Sequence, residues 1–354
     1  MKALRHASLL LLLVLGTVLP WPAPMWAQDN DAPSQLISDN STIQRIRNRG
    51  NLMIAGVLFD YQPFGYLDAQ GEITGFEVEL IRAIAEQWAI DVQFVPVTPS
   101  TRIQSLVAGQ VDLVVAALPH TAASETFIDF SQSYFTDTRA LLVRADAPVE
   151  LSALAGKTIA TIQGDEATAP LQTALAAAAT TVTIMPFQEY APAVLALKAG
   201  QADALLADST YLTRVGDALP INNVLLPLPA VQAFGIGVAQ GDAYFRNLID
   251  AALSTMAQSG ALAALYAKWF PTQPAPQFES LPGQWPYTFA TSPSDLMPPT
   301  PSRWVQLQTR GKLLVGVAYD FAPFGFLVDD GQPRGFDIDL SREFARRWLG
   351  DADA

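Results

Sequence analysis

His120 is the only histidine beyond residue 6, and it stands in "ALPHTAAS" between an apolar strand candidate and a turn. A histidine used as a general base needs an acid that orients its ring, and no such acid is identifiable from the sequence. Three other carboxylates draw attention: Asp165 and Glu166 in "QGDEA", and Asp208 at the end of "ALLADST". Asp165 and Glu166 also read as solvated loop acids, and Asp208 also reads as a cap for a helix starting near Ser209. The chain has no cysteine, which excludes disulfides, thiol catalysis and cysteine metal sites. No phosphate loop, zinc-ligand spacing or nucleophile elbow is present either. Acids without that machinery suit the recognition of a cationic or neutral polar group. No catalytic residue, cofactor or metal is assigned.

The elements that must hold these residues follow from composition and periodicity. Half of the 354 residues are hydrophobic and 16% are charged, a globular composition long enough for two domains or one two-lobed domain. A formal net charge of −13 excludes nucleic acid and anionic membrane surfaces as partners. Residues 1–27 read as a Sec-type signal peptide: Lys2 and Arg5 precede a short apolar run, Ser8 to Leu19, and cleavage is expected after Ala27. With no cysteine to carry a lipid, the mature chain is expected to be a free periplasmic or secreted protein. No later segment is apolar enough to span a membrane.

Residues 28–40 read as disordered. From 41 to 270, β-rich runs alternate with helical ones. "NLMIAGVLF" and "DVQFVPV" read as strands, and "GFEVELIRAIAEQW" places Phe76, Leu80, Ile81, Ile84 and Trp88 on one helical face. Such βα alternation predicts a parallel or mixed sheet covered by helices. Residues 271–302 are dense in proline and read as an extended linker. Beyond them the opening recurs: "PFGFLVDDGQPRGF" (Pro323 to Phe336) repeats "PFGYLDAQGEITGF" (Pro63 to Phe76), with Gly-Val, Leu, Ala and Trp partners in the same register. Residues 303–354 are therefore expected to be the truncated start of a second domain.

The run "GVLFDYQPFGYLDAQGEITGFEVELIRAIAEQW" resembles the opening of bacterial extracellular solute-binding proteins of family 3. "LVAGQVDLVVAAL", "IDFSQSYF", "LAGKTIATIQG", "LKAGQADALLADSTY" and "FGIGVAQGD" continue the resemblance to the terminal "KWF" at Phe270. It implies an α/β Venus-flytrap: lobe 1 at 41–143 and 232–270, lobe 2 at 146–229. A two-stranded hinge would lie near "LLVRADAP" and "PLPAVQAFGI", and a small-molecule ligand would be trapped between the lobes. The partner implied is an ABC permease. A sensor-kinase module is the alternative, because tandem domains of this kind occur in receptors, and a dehydratase-like enzyme on the same scaffold is a more distant one.

In such proteins an aromatic near the Pro-Phe motif packs on the solute, an aspartate of lobe 2 takes the ammonium, and an arginine forks the carboxylate. Tyr61 and Asp208 match the first two, with Phe64 under the cleft and Ala117, Pro119 and His120 along its wall. The third is missing. Ser124 stands where the arginine belongs, and Asp165, with Glu166 beside it, stands where a hydroxyl should donate. Arg102 and Arg139 are the nearest cations by motif position; either could replace the absent arginine, but a surface role is expected for both. Losing a charge-assisted bond of about 1.5–3 kcal/mol argues against ordinary carboxylate recognition. Arginine at 124, ideally with threonine at 165, should then restore amino-acid binding.

Overall fold

A period-two alternation and a period-3.6 stripe meet in the first forty described residues, and together they build one layered lobe. The computed structural model describes residues 41–145, 149–165, 168–278, 289, 307, 309–328 and 331–353. The expected signal peptide, the polar segment 28–40, Glu166 and most of 279–306 lie outside the described residues. What is described falls in one compact unit, 37–354.

The chain opens with α1 (Thr42–Asn48), whose first turn is capped by the Ser41 hydroxyl accepting from the Gln44 N–H. Strand β1 (Leu52–Val57) leads into a small antiparallel sheet of β2 (Asp60–Tyr61), β3 (Gly65–Leu67) and β4 (Ile73–Thr74). Next comes α2 (Phe76–Trp88), burying Phe76, Leu80, Ile81 and Ile84 as its spacing predicts. Gly75 is required at its start: φ is +127°, and a Cβ there would lie 2.2 Å from the Phe64 carbonyl oxygen. That close approach lets the carbonyls of Pro63 and Phe64 accept from the Phe76 and Glu77 N–H groups, at 2.8 and 3.0 Å. The Pro-Phe-Gly turn thereby fixes where the helix begins.

Strand β5 (Asp91–Pro96), α3 (Arg102–Val107), β6 (Leu113–Val114) and β7 (Ile128–Phe130) complete the first pass through lobe 1. The chain leaves on β8 (Phe135–Val143) and forms β9 (Thr158–Ile162), α4 (Thr168–Ala177), β10 (Thr183–Phe187), α5 (Tyr190–Ala199), β11 (Ala204–Asp208) and α6 (Ser209–Ala218). It returns on β12 (Val224–Phe234) and finishes the lobe with β13 (Gly237–Ala239), α7 (Ala243–Ser259) and α8 (Ala261–Trp269). The first sheet runs β5-β1-β6-β13-β7 and the second β10-β9-β11-β8-β12. Both have parallel centres from βαβ crossovers and antiparallel strands where the chain changes lobe.

Two strands therefore join the lobes. Phe135 to Thr138 pair with Val231 to Phe234, an irregularity follows between Pro227 and Val231, and Ala140 to Val143 then pair with Val224 to Pro227. An aromatic cluster of Phe64, Phe76, Phe135, Phe234 and Phe270 fills the lobe-1 side of this crossing, with neighbouring centroids 4.6–6.4 Å apart. Among the described residues no single helix is long and apolar enough to cross a membrane.

Beyond the domain, Phe289 stacks on Trp88 at 5.8 Å, so the segment expected as linker also touches lobe 1. Strands β14 (Asp320–Phe321), β15 (Gly325–Leu327) and β16 (Pro333–Arg334) with α9 (Phe336–Leu349) reproduce the local arrangement of β2 to α2. No strand forms around Val315, although its counterpart in the first copy of the motif, β1, is a strand. A strand needs neighbours, and β1 has β5 and β6 on either side. Without such a sheet Phe324, Phe336 and Leu340 stay exposed, whereas Phe64, Phe76 and Leu80 are buried.

Candidate functional site

Antiparallel pairing of β11 with β8 sets Asp208 directly opposite Arg139. The Arg139 guanidinium reaches Asp165 through Nη2, and its Nη1 lies 3.1 Å from Asp208 Oδ1. Tyr190, the first residue of α5, donates its hydroxyl to Asp165 Oδ2 at 3.2 Å. All four side chains belong to lobe 2 and all are buried. Arg139 belongs there because β8 lies in the second sheet, so the end of lobe 1 expected at 143 falls earlier in the chain. Lobe 1 covers them with Tyr61, whose hydroxyl donates to Asp208 Oδ2 at 2.5 Å while its ring stacks on Tyr211 at 4.2 Å and Tyr190 at 4.4 Å. Phe64 backs the Tyr61 ring at 5.8 Å.

Two further contacts cross between the lobes. Asp60 Oδ2 accepts from the N–H groups of Tyr190 and Ala191, at 2.8 and 3.1 Å, so a lobe-1 carboxylate caps a lobe-2 helix at its positive end. The Gly164 turn lies against the Ser100 backbone, where an added Cβ would come within 2.5 Å of Ser100 Cα. Burial pushes the Asp208 carboxyl up, against the pull of Arg139. Burial alone would lower Arg139, but Asp165 and Asp208 together hold it above its ordinary value and fully charged. The result is a buried cluster of two acids, one fork and three tyrosines.

This two-lobed frame with polar groups at its seam has known counterparts. The family model for bacterial extracellular solute-binding proteins, family 3, matches residues 53–272. The chain belongs to that family. It is 29% identical over 220 residues to the amino-acid-binding protein AabA of Dichelobacter nodosus, covering 60% of this chain and 86% of that protein. It is 28% identical over 245 residues to the ABC transporter glutamine-binding protein GlnH of Bacillus subtilis, covering 67% and 88%. Among solved structures, a mutant of ArgBP from T. maritima superposes with a TM-score of 0.60 at 27% identity, covering 65% of this chain and 99% of that one. The ancestral amino acid-binding protein AncCDT-1, a precursor of cyclohexadienyl dehydratase, gives 0.57 at 28%, with the same coverage.

In this family 3 chain the structure brings Tyr61, Asp165 and Asp208 together, with Phe64 behind them. Other residues depart from expectation. Ser124 is buried in its own turn: its hydroxyl pairs with that of Thr121 at 2.8 Å and faces the Pro119 carbonyl at 3.3 Å. An arginine would lose these hydroxyl bonds and would need room at a buried position, so position 124 is no vacant clamp. His120 is exposed, stacked on Phe130 at 4.4 Å, and it does have a partner acid, Glu125, at 2.6 Å. The pair sits at the surface, outside the Asp208 cluster. Ala117 is committed through its backbone, with φ +41°, its N–H donating to Glu77 Oε1 and its carbonyl accepting from Arg102. Pro119 is buried and bridges to Phe234.

Neither arginine is at the surface. Arg102 donates to the carbonyls of Ala116 and Ala117 from inside lobe 1, and Arg139 is 1% exposed. Both were misplaced because an isolated arginine in a strand or helix carries no burial signal of its own; the acceptors that permit burial come from distant segments. Glu77 was missed for the same reason. It is buried between Tyr134 and Ala117, and burial pushes its carboxyl up to about 7. Among the described residues no group of acids and histidines is arranged to hold a metal.

Proposed function

We propose that residues 41–270 capture a small polar solute, amino-acid-like or an amine, between the two lobes and deliver it to an ABC permease after export through the signal at 1–27. The observation that carries this reading is the buried cluster of Asp208, Asp165 and Arg139 on the lobe-2 wall, roofed by Tyr61 from lobe 1. Polar groups gathered at the seam of two hinged lobes suit the enclosure of a ligand with near-complete burial. The surface position of the His120–Glu125 pair supports binding over catalysis. A thermal-shift screen against amino acids, amines and organic acids tests the proposal. A true ligand at one hundred times its Kd stabilises the native state by about 2.7 kcal/mol. Asp208→Asn should weaken that ligand more than about tenfold, since a lost charged hydrogen bond is worth about 1.5 kcal/mol or more. An anion such as glutamate as best ligand would overturn the charge argument.

A second reading, the sensing ectodomain of a receptor, draws support from one observation: β14 to α9 repeat the local structure of β2 to α2. Solute uptake restored by this chain together with a permease would decide for transport.

A further inference from the structure

Arg139 is held where a solute's cation would be expected to go. Its strand β8 is laddered to β11 at Asp208 itself, while on the β12 side the ladder is interrupted beside it, between the Thr138–Val231 and Ala140–Pro227 pairs. Its side chain lies between the two acids that would otherwise meet an ammonium group. Yet the guanidinium is not fully used. Among the described residues neither its Nε nor its Nη1 has a hydrogen-bond acceptor, and Asp208 Oδ1 has no donor, although Nη1 and Oδ1 are 3.1 Å apart. The two face each other as charges, off the line of a hydrogen bond. Buried donors and acceptors left in this condition are costly, and arginine offers its donors in a planar fork suited to two oxygens. In lobe 1 Ser124 carries no cation, and Arg102 directs Nη1 at the carbonyls of Ala116 and Ala117 from inside the lobe, with only its Nε left without an acceptor.

We infer that Arg139 is the residue that decides which solutes the cleft accepts: it is a carboxylate anchor supplied from lobe 2. A solute enters by placing an oxygen acceptor on the unused Arg139 donors and its cationic group on Asp208. An amine without that acceptor meets the guanidinium as a like charge and leaves its donors unfilled. This rests on the solute-binding reading above and refines it. It reverses the expectation, drawn from Ser124, that the cleft does not recognise a carboxylate.

The test is titration calorimetry on the full mature chain. Amino acids are compared with their decarboxylated amines, arginine against agmatine and glutamine against 4-aminobutanamide among them. The native protein is expected to bind at least one amino acid about a hundredfold tighter than its amine, the equivalent of two charge-assisted hydrogen bonds. In Arg139→Gln that ratio should fall below about tenfold, with the amino acid weakened and the amine strengthened. Because Arg139→Gln leaves two acids facing each other, Arg139→Gln with Asp165→Asn keeps the net charge and serves as the folded control, checked by circular dichroism. A general loss of structure would weaken both members of a pair alike. An unchanged ratio, or a native preference for the amine, therefore overturns the role of Arg139 and leaves the solute-binding reading standing. No binding of any pair by any of the proteins overturns both.

Discussion

Glu77 gives the sharpest quantitative expectation. Its Oε1 accepts from the Ala117 N–H at 2.7 Å and from the Tyr134 hydroxyl, and its Oε2 has no hydrogen-bond partner among the described residues. Burial raises its carboxyl from 4.5 to about 7, with the two hydrogen bonds and Arg102 opposing. Between those values the native state holds a proton that the unfolded chain has released. Its contribution to stability is therefore greatest below pH 4.5 and is lost as pH rises through 7. Integrating the proton difference from pH 5 to pH 7 gives about 2 kcal/mol of stability lost over that interval. For a domain of this size that is about 4–8 °C in Tm.

Glutamine at 77 keeps an oxygen for Ala117 and Tyr134 and has nothing to titrate. Differential scanning calorimetry of the native chain and Glu77→Gln at pH 5 and pH 7 isolates the effect, because all other groups cancel in the double difference. The native chain should lose several degrees more than the variant on going to pH 7. Equal losses would refute the reasoning, since Glu77 would then be ionising as freely folded as unfolded.

Tyr61→Phe removes the hydroxyl that donates to Asp208 across the lobes. A hydrogen bond to a charged group is worth about 1.5–3 kcal/mol, so the closed-to-open ratio should fall about tenfold or more, read as a larger radius of gyration in solution scattering. Gly164→Ala places a methyl against the Ser100 backbone at a φ of +75°; it should hold the lobes apart and abolish solute binding while leaving the far-ultraviolet spectrum unchanged. Ser124→Arg should lower stability by about 1–3 kcal/mol through overpacking and give no gain in amino-acid affinity in calorimetry. A gain would mean that the turn opens readily.

The sequence makes α2, the Pro-Phe-Gly turn and the βα order plain, because each rests on local rules: a helical stripe, a glycine at positive φ, strands followed by helices. Tyr61 and Asp208 were legible through spaced motifs. Arg139 was not, because its place depends on the register of β8 against β11, and no residue in "TDTRALLV" announces that register. Asp60 reads as an ordinary turn acid until α5 arrives from the other lobe. Two signals were available and unused. Thr121 and Ser124, three apart, form the hydroxyl pair of a self-capped turn, and Glu125 lies five residues from His120. The missing strand near Val315 teaches the converse: a repeated motif specifies its hairpin and helix locally, but its strand only where a sheet exists to receive it.

The contacts that Asp60, Tyr61 and Gly164 make across the seam involve no solute at all. Closure thus has a free energy of its own, which any opening of the lobes has to overcome whether or not a ligand is bound. Solute can enter only the open form, so the measured Kd is the intrinsic one divided by the open fraction. If the shut form is favoured tenfold, affinity is lowered about tenfold through the association rate while the residence time of bound solute stays unchanged. A permease that recognises the shut form would also meet empty carriers, and the same cross-lobe contacts would then set how often it is offered nothing.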